Sequence, residues 1–81
     1  MPYPSEHSAR IKSPGLFETN SFRRKNIDSG IDIIIGRLKG QTTTTTQAYR
    51  FKKGSFTSGE AKKWLADHKI NYMSFEAASE N

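Results

Sequence analysis

Ile31-Asp32-Ile33-Ile34-Ile35-Gly36-Arg37-Leu38-Lys39 is the stretch on which the fold turns. Side chains alternate across an extended chain, so Ile31, Ile33 and Ile35 share one face while Ile34 and Leu38 share the other. β-Branched isoleucines suit a pleated surface. Apolar side chains on both faces need cover on both sides, which predicts a central strand and not an edge. Just before it, Asn26-Ile27-Asp28-Ser29-Gly30 is a turn cluster. Just after it, Gly40 and Gln41 can form a hairpin turn. The five threonines at 42–46 then open a returning strand through Tyr49 and Phe51. Threonine favours extended backbone, although a run of one residue specifies register weakly.

The clearest helix follows, over residues 57–68. Thr57 with Glu60 three residues later is the pattern of a capping box, with Phe56 placed to staple over Ala61. Ala61, Trp64, Leu65 and His68 repeat at the spacing of one helical face. Residues 70–75 then read as a third strand. A hairpin makes the first two strands antiparallel, and a crossover through the helix returns the third parallel to the second. The fold class expected is therefore α+β. It has a small three-stranded antiparallel sheet in the order 2-1-3, one α-helix on a face and a ββαβ core, preceded by an extended N-terminal arm. Residues 1–28 form that arm, with turns, and Phe17, Phe22 and Ile27 plug part of the sheet. Residues 29–78 form the core domain and 79–81 a polar tail.

Eighty-one residues, one third of them hydrophobic, allow one domain and one modest core. A doubly apolar strand in so polar a chain leaves room for a homodimer. There is no cysteine, hence no disulfide framework and no thiolate metal cage. The longest aliphatic run, Ile33-Ile34-Ile35, is far too short to cross a bilayer, and the N-terminus lacks the apolar core of a signal peptide. Net charge is +5, which favours an anionic partner.

Side chains that could do chemistry are few. Glu6-His7-Ser8 holds an acid, a base and a hydroxyl, but neighbours in an extended chain point in different directions, and a triad is a matter of geometry in space. His7 and His68 are too far apart in sequence to form a paired-ligand motif. Asp28 and Asp32 match no calcium loop. Residues 36–42 have the wrong glycine spacing for a phosphate loop, and Gln41 stands where lysine is needed. No catalytic residue, metal or cofactor is assigned, and the chain is not expected to be an enzyme. Two basic clusters remain as candidate anion-binding or nucleic-acid-binding sites: Arg23, Arg24 and Lys25 beside Phe22, and Lys52 with Lys53 before the helix start. Glu60 competes with a phosphate for the donors at that start. Tyr3, Tyr49 and Tyr72 are the tyrosines available to stack on bases.

Several short segments carry a resemblance: His7-Ser8-Ala9-Arg10-Ile11, Phe22-Arg23-Arg24-Lys25, Gly30-Ile31-Asp32, Arg50-Phe51, Phe56-Thr57, Glu60 through Leu65, and Phe75-Glu76. In these the chain resembles small proteins and appended domains of tailed bacteriophages and prophages, some encoded near head-maturation genes. The resemblance implies a viral protein in the host bacterial cytoplasm and assigns no functional residues. The threonine run departs from it. The function expected is a non-enzymatic, anti-defence type of binding protein. Its basic surface would engage nucleic acid, a nucleotide signal or a host nucleoprotein. The alternative is an interaction module of head assembly that binds another phage protein, by strand addition along an edge strand at 42–46.

Overall fold

A computed structural model describes residues 5–78. Five strands form one antiparallel sheet: β1 (Glu6–Arg10), β2 (Arg23–Asp28), β3 (Ile31–Arg37), β4 (Thr44–Lys52) and β5 (Ser74–Glu76), in the order β2-β3-β4-β1-β5. One helix, α1 (Ser58–Asp67), joins β4 to β5, and a short 3-10 turn at Pro14–Leu16 follows β1.

The three-stranded ββαβ expectation is therefore corrected. The β3–β4 hairpin and the helix form as the sequence predicts. The arm, however, supplies two strands of its own. β1 pairs with β4 from Glu6↔Lys52 to Arg10↔Ala48, and β2 pairs with β3 from Arg23↔Ile35 to Asp28↔Ile31. The C-terminal strand is only three residues long and pairs with β1, not with the isoleucine strand. β4 and β5 do run parallel with one strand between them, but that strand is β1 and not β3. The physical reason is space: β2 occupies the free edge of β3 through a two-residue turn, so β5 meets β1 on the other side. The threonines 44–46 begin the middle strand of five; they pair with β3 from Arg37↔Thr44 to Ile35↔Thr46, whereas β1 pairs with β4 only from Ala48 to Lys52. Tyr3 and the tail at 79–81 fall outside the described residues.

The core lies between the sheet and α1. Ala9, Ile31, Phe51, Ala61 and Leu65 are fully buried, and Tyr49, Phe56, Trp64, Ile70 and Phe75 pack around them. Phe51 meets Phe56 and Trp64 edge-on, at centroid distances of 5.4 and 5.7 Å. His7 is buried too. Its Nδ1 accepts from the Ala78 N–H and its Nε2 donates to the Phe56 carbonyl, both at 2.8 Å, so the neutral ring ties the C-terminal segment to the helix entry.

The helix is capped at both ends. Thr57 accepts from the Glu60 N–H while the Glu60 carboxylate accepts from the Thr57 N–H, which completes the capping box. At the far end Ile70 N–H bonds the Leu65 carbonyl and Lys69 N–H bonds that of Ala66, the paired hydrogen bonds of a Schellman cap. Lys69 takes the left-handed position with φ 56°, where a side chain is strained and glycine is not. Lys69→Gly is therefore expected to stabilise the protein by about 1 kcal/mol in urea unfolding. A loss of stability would show that the Lys69 side chain makes up the strain elsewhere.

Candidate anion-binding face

The helix covers one face of the sheet only. Alternation along the strands turns Glu6, Ser8 and Arg10 of β1, Arg50 and Lys52 of β4, Asp32 and Ile34 of β3, and Arg24 of β2 to the other face. This sends His7 to the core and Glu6 and Ser8 to the opposite face, so Glu6, His7 and Ser8 do not converge. Among the described residues no group of three or more His, Asp or Glu side chains is placed to hold a metal ion.

Residues 11–22 fold back over part of this helix-free face. Phe17 is buried and bridges to Leu38; its ring lies 5.5 Å from that of Phe22. Both rings sit against Gly36, where a Cβ would come within 2.9 Å of Phe17 and 3.2 Å of Phe22. The buried Ser21 hydroxyl donates to the Glu18 carbonyl at 2.8 Å and accepts from the Arg37 N–H at 2.9 Å, which pins the loop to the end of β3. Ile27, expected as a third plug, is instead the extra residue of a bulge in β2 and is exposed. A second bulge skips Gln47 in β4, and both Gln47 and Ala48 line the same groove. Gln47 Nε2 donates to the Lys12 carbonyl at 2.9 Å and holds the loop at its start.

Two grooves share Arg50. The lower one, about 480 Å³, runs past Glu6, Arg24, Asn26, Asp32 and Lys52. It is bridged by ion pairs. Arg24 reaches from β2 over β3 and β4 to Glu6 on β1, and its Nε donates to Asp32 at 2.7 Å. Arg50 lies 3.5 Å from the same Glu6. Hydrogen bonds donated to Glu6 and then to Asp32 raise the pKa of the Arg24 guanidinium. Hydrogen bonds from Asn26 and then Arg24, with the charge of Lys52 a lesser cause, hold the Asp32 carboxyl below its usual range. The upper groove, about 240 Å³, lies beneath Phe22 and Pro14.

The five cations singled out from sequence do not form one site. Arg24 and Lys52 line the lower groove, where two carboxylates face them. Arg23 curls back onto the Phe22 carbonyl at 2.9 Å. Lys25 pairs opposite Ile33 on the edge strand and so projects from the other face to Arg24. Lys53 follows β4, its backbone N–H bonded to the Ser5 carbonyl. The donors before α1 that might take a phosphate are already engaged by the capping box.

A cluster that no run of sequence announces lies at the hairpin end of the sheet. Arg10 ends β1, and Lys12 follows with its N–H bonded to the Gln47 carbonyl. Arg23 begins β2 opposite Ile35; Arg37 ends β3; Lys39 N–H bonds the Leu16 carbonyl. All five side chains are exposed, and Glu18, whose N–H bonds the Arg37 carbonyl, is the carboxylate among them. Four of the five are isolated cations in sequence, so charge runs could not reveal them; strand register brings them to one end of the sheet, with Arg10 on the helix-free face and Arg23, opposite Ile35, on the other.

Comparison of the chain with protein-family models, curated proteins and solved structures finds no match. Among the described residues no helix is long and apolar enough to cross a membrane.

Proposed function

We propose that this is a phage-encoded, non-enzymatic binding protein of the host bacterial cytoplasm. Its basic rim docks the phosphates of a nucleic acid, either bare or within a host defence nucleoprotein. The observation that supports this most is the rim itself: Arg10, Lys12, Arg23, Arg37 and Lys39 exposed at one end of the sheet, with Glu18 and, beside Arg10, Glu76 as carboxylates near them among the described residues. Exposed cations at one end of a sheet repel one another at low ionic strength, and a polyanion relieves that repulsion. Binding through them releases counterions, so affinity falls steeply with salt. The phage origin rests on the sequence resemblance, and the non-enzymatic reading on the sequence, whose one run of acid, base and hydroxyl, Glu6-His7-Ser8, is divided between the two faces of the sheet.

The test is binding of labelled single-stranded and duplex oligonucleotides over a salt series. Arg37→Ala with Lys39→Ala is expected to weaken both and to flatten the log–log salt slope by about two, roughly one per phosphate contact removed. Unchanged affinity in that variant, or no binding at low salt by the native protein, overturns the reading.

A further inference from the structure

We propose that the outer edge of β2 takes an added strand: an extended, acidic segment of a partner protein, with carboxylates at alternate positions. This surface is distinct from the docking of phosphates at the rim and does not depend on it.

β2 ends the strand order, and no strand lies beyond it among the described residues. In an antiparallel pair every second residue of an outer strand turns its N–H and C=O away from its neighbour, and on an open edge these groups can pair with another main chain. Arg23–Asp28 is six residues long and exposed at every position. β5, at the opposite edge, is three residues long. β2 is thus the longer template for strand addition.

Its side chains say which strand fits. Arg23 and Lys25 lie opposite Ile35 and Ile33 and project on the helix side, while Arg24, opposite Ile34, projects on the helix-free side. The Arg24 charge is already met by Glu6 and Asp32. Those of Arg23 and Lys25 are not. Arg23 bonds neutral carbonyls, that of Phe22 at 2.9 Å and that of Asn20 at 3.5 Å, which leaves its charge uncancelled. The Lys25 ammonium is in no ion pair or hydrogen bond among the described residues. Two such cations, two residues apart on one side, call for carboxylates at the same spacing on a neighbouring strand, because opposite charges directly across a sheet attract. The strand as a whole carries Arg23, Arg24 and Lys25 against Asp28 alone. Two copies of this edge therefore repel, and the same charge that keeps them apart selects an acidic partner. Ile27, exposed at the bulge, adds an apolar contact beyond the charged positions.

The experiment adds an eight-residue peptide, alternating glutamate with threonine and blocked at both termini, and follows amide exchange by NMR. Exchange is expected to slow within residues 23–28, and not to slow with the same peptide carrying lysine for glutamate. Lys25→Glu replaces an attractive cross-strand pair by a repulsive one and is expected to weaken the acidic peptide by about 2- to 30-fold. N-methylation of every second peptide residue is expected to abolish binding in the set whose N–H groups face β2 and to spare it in the alternate set. No slowing with the acidic peptide, equal effects of the acidic and basic peptides, or N-methylated sets that act alike overturn the proposal. Slowing that appears on raising the protein concentration alone makes the occupant a second copy and also overturns it. So does equal slowing of residues 23–28 by a single-stranded oligonucleotide, which would give this edge to nucleic acid.

Discussion

Phe51→Ala is expected to remove about 3–5 kcal/mol of stability, the cost of emptying a fully buried aromatic site. A domain of this size has only roughly 4–12 kcal/mol in total, so the variant should be partly unfolded at 37 °C. The effect is large because Phe51 sits where everything meets. It lies on the middle strand, pairs with His7 on one side and Ile31 on the other, and holds Phe56 and Trp64 against its ring edges. Urea unfolding followed by far-ultraviolet circular dichroism measures it without relying on Trp64, whose surroundings change directly. A loss below about 1 kcal/mol would mean that the helix does not pack on β4 as described. Phe17 is as deeply buried but belongs to the 11–22 loop and packs against Gly36 on the other face. Phe17→Ala should loosen that loop and expose its amides to hydrogen exchange while the β3–β4–β1 ladder stays protected.

Gly30→Ala is expected to cost about 2–5 kcal/mol, from two sources that can be separated. Gly30 has φ +78°, in the region where a Cβ costs about 1–2 kcal/mol. A Cβ there would also come within 2.7 Å of the Ser55 Cβ, and such crowding adds about 1–3 kcal/mol. The approach is close because the Gly30 carbonyl accepts from the Lys52 N–H at 2.8 Å, which draws the β2–β3 turn against the chain leaving β4. Gly40 is the control. Its φ is +80° but nothing lies within 4 Å of its Cβ position. Gly40→Ala should therefore show the backbone cost alone, about 1 kcal/mol, in the same titration. Equal losses in the two variants would refute the close approach at Gly30.

The helix and the hairpin were legible because their signals are local. A capping box needs four residues in a row, and the isoleucine strand declares itself by composition. β2 gave no such sign. Arg23–Asp28 is exposed at every position, since an edge strand facing solvent has no apolar side chain to bury, and its charges guard an open edge. β1 was hidden differently: of its inward residues His7 and Ala9, one is polar and the other small, and His7 is burial-competent only because Ala78 and Phe56 satisfy both its nitrogens. The basic runs were visible and proved to be scattered, whereas Arg10, Lys12, Arg37 and Lys39 were overlooked as single residues.

By itself, then, the chain determined the helix with its cap, the isoleucine hairpin and an excess of positive charge, because each depends on side chains close together in sequence. Which strand lies beside which, which face stays open, and which cations share a rim were decided only in the tertiary structure. Those depend on hydrogen bonds between segments as far as 71 residues apart, for which any extended stretch can compete and which are won by the neighbour whose turns and burial leave no better arrangement.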